Sequence, residues 1–334
     1  MVLGWIARCA EGAQAIVDTQ IPGLLDAVLK LPDQWEPCWL LQNLASHNSS
    51  GIVSIADICQ QLVGLLRRVA SVEDVLSALV SIARTVQGAR AAFDTGVLNL
   101  LHEFLEFSNG QVRKQTCYLL RNFAIYEFAI PALLENNGCR KLIHLLYDDE
   151  PGVALSAMGA LSQIASHDDG AVVMIDARTL GALDELLRFS NGELRREACD
   201  LIDILADNQV VLTACAVIVT EQLRCSLNDQ IRSEACNLFG IIALKESTSD
   251  AVMRRNPCQR IVSLLPVEAA APAALDALDY IACSEYPARA VRVTTSNLLQ
   301  GLARCASKTC SVWNENRWQK LMELSRSVVP VWRA

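Results

Sequence analysis

Two places in the chain set an aromatic residue four positions before an asparagine: Trp39 and Asn43 in CWLLQNLAS, and Tyr118 and Asn122 in CYLLRNFA. A spacing of four puts both side chains on one face of a helix. A carboxamide both donates and accepts, so it can hold an extended backbone, and a neighbouring aromatic ring supplies the larger anchoring surface. That is binding chemistry. Bond-making chemistry has far less to work with. The histidines are His47, His102, His144 and His167, and the first and last stand at the same point of two similar stretches, LASH and IASH. They are scattered features, not one convergent site. Asp168 and Asp169 follow His167 without further metal-ligand spacing, and no G-x-S-x-G, H-E-x-x-H or phosphate-loop pattern occurs. A non-enzyme is expected, with no catalytic residue, no cofactor and no metal site.

Thirteen cysteines are scattered singly with no C-x-x-C pair, and most fall on apolar helix positions. Reduced, buried thiols are the expectation, not a disulfide framework or a zinc site. The net charge of −8, with no dense basic tract to offset it, disfavours a nucleic-acid partner. The longest apolar region, around Val210 to Val219, is about half a membrane span, so no membrane insertion is expected. The expected location is the cytoplasm, with the nucleus as the other compartment open to such a protein.

These side chains need elements to position them, and the elements repeat. FSNGQVRKQTCYLL begins at Phe107 and FSNGELRREACDLI at Phe189, 82 residues on, which is two repeats of 41. Extending the register gives one alanine per unit: Ala45, Ala83, Ala124, Ala165, Ala206, Ala243 and Ala282. Four positions earlier runs an apolar column of Leu41, Leu79, Leu120, Leu161, Ile202, Phe239 and Leu278, and directly before the alanine stand Leu44, Ile82, Phe123, Ile164, Leu205, Ile242 and Ile281. These columns share one arc of a helix, and the alanine lets a neighbouring helix approach closely. Upstream, a second amphipathic helix ends on Leu29, Leu66, Leu105, Leu146, Leu187, Leu227 or Leu265. A short helix precedes it and ends in a breaker, as in DTG with Gly96 and NNG with Gly138.

A unit of about 40 residues built as short helix, helix and longer helix resembles the armadillo repeat, over roughly Ile6 to Cys283. The resemblance implies an all-α, right-handed superhelical solenoid of about seven three-helix repeats; HEAT repeats are the alternative, and the glycine turn favours armadillo. The expected organisation is a partial repeat at 1–20, the array at 21–283, and a repeat remnant with a Trp-rich cap at 284–334 containing Trp313, Trp318 and Trp332.

In that family the third helices line a concave groove, where asparagines hold the backbone of an extended peptide beside tryptophan slots. The columns pointing away from the core pair Trp39/Asn43, Ser77/Ser81, Tyr118/Asn122, Gly159/Gln163, Asp200/Ile204, Asn237/Ile241 and Asp276/Tyr280. The W-x-x-x-N arrangement survives at Trp39/Asn43 and, with Tyr for Trp, at Tyr118/Asn122. The candidate binding residues are Trp39, Asn43, Tyr118, Arg121, Asn122, Gln163, Asp200 and Asn237. Charge on this face runs from basic at Arg113, Lys114 and Arg121 to acidic at Asp200, Asp203, Asp276 and Asp279, with Arg195 and Arg196 beside Asp200. The resemblance implies a scaffold or adaptor binding an extended segment of a protein partner. Its alternatives are a chaperone regulator of the nucleotide-exchange type and a structural segment of a larger protein. IARCAEGAQAIVDT from Ile6 parallels IARTVQGARAAFDT from Ile82, so the first unit begins near the end of a third helix. An apolar end of this kind is expected to be covered by self-association, by a partner or by further repeats of a longer parent chain.

Overall fold

A computed structural model describes residues 2–18, 35–46, 54–66, 72–174, 177–189, 192–225, 229–243, 257–265, 267 and 270–283. Among these residues the secondary structure is helical, with no strand. The segments 19–34 and 284–334, with Leu29, Trp313, Trp318 and Trp332, lie outside the described residues, as do His47 and Leu227. The chain divides into two compact units, Met1–Gly170 and Ala171–Ala334.

In the first unit the helices are α1 (Val2–Ile6), α2 (Ala10–Asp18), α3 (Trp35–Ser46), α4 (Ile55–Leu66), α5 (Val72–Ile82), α6 (Val86–Asp94), α7 (Leu98–Phe104), α8 (Gly110–Ala124), α9 (Ile130–Leu134), α10 (Gly138–Leu145) and α11 (Pro151–Ala165). Helix α12 (Asp168–Val173) carries the chain across the boundary. The third helix of each repeat packs on its counterpart in the next: α1 on α3, α3 on α5, α5 on α8 and α8 on α11. This third-helix layer is the platform for the candidate site. The second unit holds α13 (Ala177–Phe189), α14 (Gly192–Asp207), α15 (Gln209–Cys225), α16 (Asp229–Ala243), α17 (Pro257–Leu264) and α18 (Ala271–Cys283), with α14, α16 and α18 forming its own third-helix series.

Local chemistry explains the breaks. The SNG signature places Asn109 as the N-cap of α8, where its side chain accepts from the amides of Gln111 (2.8 Å) and Val112 (3.4 Å). Pro151 opens α11 at a position whose missing N–H costs nothing. Gly96 turns the chain between α6 and α7 at φ +74°, and a side chain there would meet only open space, so the requirement is conformational. The next copy solves the turn differently. Asn137, not Gly138, takes the left-handed conformation (φ 59°). Gly138 is needed for closeness instead, since a methyl on it would come within 2.8 Å of the Leu133 carbonyl oxygen and 2.9 Å of the His102 ring. In the second unit QVVLTACAVIVTEQLRC contains neither glycine nor proline, and α15 runs as one helix where earlier repeats use two. That repeat is built of two helices, α15 and α16.

The core follows the columns. Ala83, Ala124, Ala165 and Ala206 are buried, as is the apolar column from Leu41 to Leu278, while Ala45 is half-buried. Ala165→Leu is expected to overpack its seam and cost about 1–3 kcal/mol, read as a drop in Tm; an unchanged Tm would mean the register is misplaced. Cysteines share this interior: Cys38, Cys59, Cys117, Cys139, Cys215 and Cys236 are buried outside any disulfide, and among the described side chains Cys9 is exposed. Burial pushes the thiols of Cys59 and Cys236 up to about 12, far from a reactive thiolate.

Candidate functional site

The aromatic and amide pairs sit where the third helices meet. Trp39 on α3 packs across the seam onto α1: its ring lies edge-on to Trp5 at 5.4 Å, and a methyl on Gly4 would overlap it. Asn43, one turn on, donates from Nδ2 to the Gly4 carbonyl at 3.1 Å. The pattern recurs on α8. Asn122 donates from Nδ2 to the Val80 carbonyl at 2.8 Å, again reaching the preceding third helix. Only the NH2 end of a carboxamide can face a carbonyl, so each amide is held in a defined orientation, and among the described residues no donor is assigned to its Oδ1. Trp39, Asn43, Tyr118 and Asn122 are all half-buried, and Trp39, Asn43 and Asn122 lean on the repeat before them.

The remaining candidates divide. Arg121 is exposed, and its side chain extends over Gly159 of α11; a methyl there would lie 3.6–3.8 Å from the arginine. Gln163 is half-buried and donates to Ser166 Oγ at 3.3 Å, near the end of α11. Asp200 on α14 and Asn237 on α16 are exposed in the second unit. The structure therefore brings together Tyr118, Arg121, Asn122 and Gln163 on the adjacent helices α8 and α11, and places Trp39 and Asn43 on the α1–α3 seam.

The basic face is smaller than its sequence. Arg113 is not free to meet a ligand: Nε and Nη2 donate to Asp148 at 2.7 and 2.8 Å, and Nη1 donates to the carbonyls of Phe107 (2.7 Å) and Ser108 (3.0 Å). The pair is largely buried, with side-chain exposures of 14% and 7%. Burial works against ionising Asp148, but the hydrogen bonds from Arg113 and the Glu150 amide outweigh it and hold the carboxyl below its ordinary value. The homologous Arg195, two repeats on, donates from Nε to Glu234 Oε2 at 2.7 Å. Both arginines fasten neighbouring repeats.

Three other features stand beside these candidates. Lys114 lies over the Tyr118 ring, Nζ 6.0 Å from the centroid. Trp5 is 58% exposed beside Trp39 and carries Arg8 above its ring at 4.9 Å. Gly12, Gly88 and Gly170 each press on the carbonyl of an isoleucine six residues earlier, Ile6, Ile82 and Ile164. An I-x-x-x-x-x-G spacing repeated three times was the signal for the last. Among the described residues no group of three or more His, Cys, Asp or Glu stands together to hold a metal, and no single helix is long and apolar enough to cross a membrane.

No protein-family model matches the chain, and no curated protein matches it. Solved structures do. An engineered protein from a structural genomics consortium is 23% identical at a TM-score of 0.58, covering 97% of this chain and 93% of its own. A designed armadillo repeat protein in complex with the peptide (KR)4 is 24% identical at a TM-score of 0.54, over 67% of this chain and 99% of its own. Computationally designed armadillo repeat proteins for modular peptide recognition give 20% identity and a TM-score of 0.52, over 66% and 99%. These likenesses establish an armadillo-like helical repeat fold.

Proposed function

We propose that this armadillo-like array is a non-catalytic scaffold that holds an extended segment of a protein partner along its third-helix layer. The observation that carries the reading is the repetition of an oriented amide beside an aromatic ring, Trp39/Asn43 and Tyr118/Asn122, at equivalent positions of two repeats. Each Nδ2 is anchored to the preceding helix, so the amide meets a ligand without losing rotamer freedom at that moment. Its Oδ1 is left to accept from a backbone N–H, each such bond contributing about 0.5–1.5 kcal/mol net. Designed neighbours of the same fold that bind peptides support the reading.

The test is a display library of extended peptides selected against the full chain, followed by affinity measurement for the selected sequences. Trp39→Ala/Asn43→Ala and Tyr118→Ala/Asn122→Ala are each expected to weaken binding by at least about tenfold, the effect of losing roughly 1.4 kcal/mol. Each asparagine change also removes an inter-repeat hydrogen bond, so a stability loss of about 1 kcal/mol should accompany it, and binding is compared at temperatures where every variant is folded. Selected peptides that ignore both double substitutions would reject this surface.

A further inference from the structure

The third-helix layer carries two cations that form no ion pair among the described residues. Lys114 and Arg121 stand on α8 on either side of Tyr118, at i, i+4 and i+7. Neither has a carboxylate within ion-pair distance among the described residues, although acids outnumber bases in this chain and the neighbouring Arg113 is fully engaged by Asp148. Both side chains extend toward α11, and what they find there is glycine. A methyl on Gly152 would lie 3.7 Å from Lys114 Nζ, and one on Gly159 would lie 3.7 Å from Arg121 Nη1. Gly152 and Gly159 are themselves two helical turns apart, so at both contacts α11 offers backbone in place of a side chain that could cover or neutralise the charge. Glu150, at the entry to α11, lies 3.8 Å from Arg113 Nη2.

We propose that the α8–α11 face binds an acidic extended segment, whose carboxylates pair with Lys114 and Arg121 while an intervening residue lies on Tyr118. This rests on the scaffold reading and specifies its partner. The spacing argues for two separate anions. Seven residues of helix put the two attachment points about 10.5 Å apart, and the charged ends lie against two glycines spaced by the same two turns, so each meets its own anion. In an extended chain of the polyproline II type, with three residues per turn and about 3.1 Å per residue, acids three positions apart lie on one side and span about that distance. Complementary charge of this kind selects partners and accelerates encounter, and it weakens with salt. The basic (KR)4 ligand of the designed neighbour would suit this face poorly.

Fluorescence anisotropy with the full chain tests the proposal, using labelled (Glu-Ser-Leu)4 against its Gln and Lys counterparts. The Glu peptide is expected to bind at least about tenfold more tightly than the Gln peptide, with an affinity that falls as salt is added. Lys114→Glu/Arg121→Glu should abolish that preference. Arg84→Glu/Arg140→Glu makes the same change in net charge outside the α8–α11 strip, at two residues with exposed side chains, and should preserve the preference. Preference for the Lys peptide, or equal losses from the two double reversals, overturns the proposal. If the Gln or Lys peptide binds through Trp39 and Asn43 but not through Lys114 and Arg121, the scaffold reading stands and the acidic partner falls. If no peptide of any charge binds, both fall.

Discussion

Asp148→Ala is expected to lower stability by about 3 kcal/mol, because it strands a largely buried guanidinium after removing the carboxylate that takes two of its hydrogen bonds. The Phe107 and Ser108 carbonyls would still accept from Nη1, which keeps the loss toward the lower end of what breaking a buried pair costs. Replacing both partners with apolar residues, Arg113→Met/Asp148→Leu, should recover most of it, since no charge is then left unpaired. Urea unfolding of the three variants measures this, and a double variant no more stable than Asp148→Ala would refute the clamp. The pair also has a pH signature. The folded Asp148 pKa lies below its unfolded value of about 3.9, so its contribution is complete above that value and disappears as pH falls through the lower, folded pKa. The stability difference between wild type and Asp148→Asn should therefore be flat near neutrality and shrink below about pH 4.

Gly88→Ala should be comparably severe, at about 3 kcal/mol, for a purely steric reason. The added methyl would overlap the Ile82 carbonyl oxygen and come within 2.8 Å of Ile82 Cγ2. The obstacle is backbone at the end of α5, so no rotamer change relieves it. Gly88 also donates its N–H to the Thr85 N-cap at 3.1 Å, which ties α6 to the same spot. Gly64, inside α4, is the control: a methyl there meets nothing within 4 Å, and Gly64→Ala should stabilise by about 0.5–1 kcal/mol through helix propensity. Thermal melts of the two variants moving in opposite directions is the expected result, and a Gly88→Ala protein as stable as wild type would show that the packing is looser than the structure places it.

The core was legible because stacking forces periodicity: each unit must present the same arc to its neighbours, so Leu120, Phe123 and Ala124 have counterparts at the same register along the chain. The binding face was legible only as a set of positions. Helical geometry shows that Tyr118 and Asn122 point away from the core, but not that Asn122 bonds Val80, because that partner lies one repeat away on a different helix. Arg113 misled for the same reason, since an arginine on a solvent-facing arc looks free until the Asp148 loop of the following repeat is placed beside it. At NNG the glycine was visible but its role was not: with Asn137 tolerating the left-handed turn, Gly138 answers to the His102 ring, which no local pattern reveals. The uninterrupted α15 shows the converse, a missing breaker in the sequence appearing as a missing turn.

The polar fastenings between repeats have a common length. Asn43 reaches back 39 residues to Gly4, Asn122 reaches 42 to Val80, Lys141 reaches 39 to His102, His167 reaches 43 to Ala124 and Gln222 reaches 38 to Asp184. Each reaches one repeat back. Fastenings of about 40 residues at these described contacts keep the sequence separation short for a chain of this size, and loop closure imposes only a small entropic barrier at each of them. On the ribosome, each repeat therefore finds its docking surface already folded when it emerges, and every new asparagine or histidine clasp closes onto a helix that precedes it. Assembly can advance from the N-terminal side at the pace of synthesis, without waiting for distant sequence to arrive.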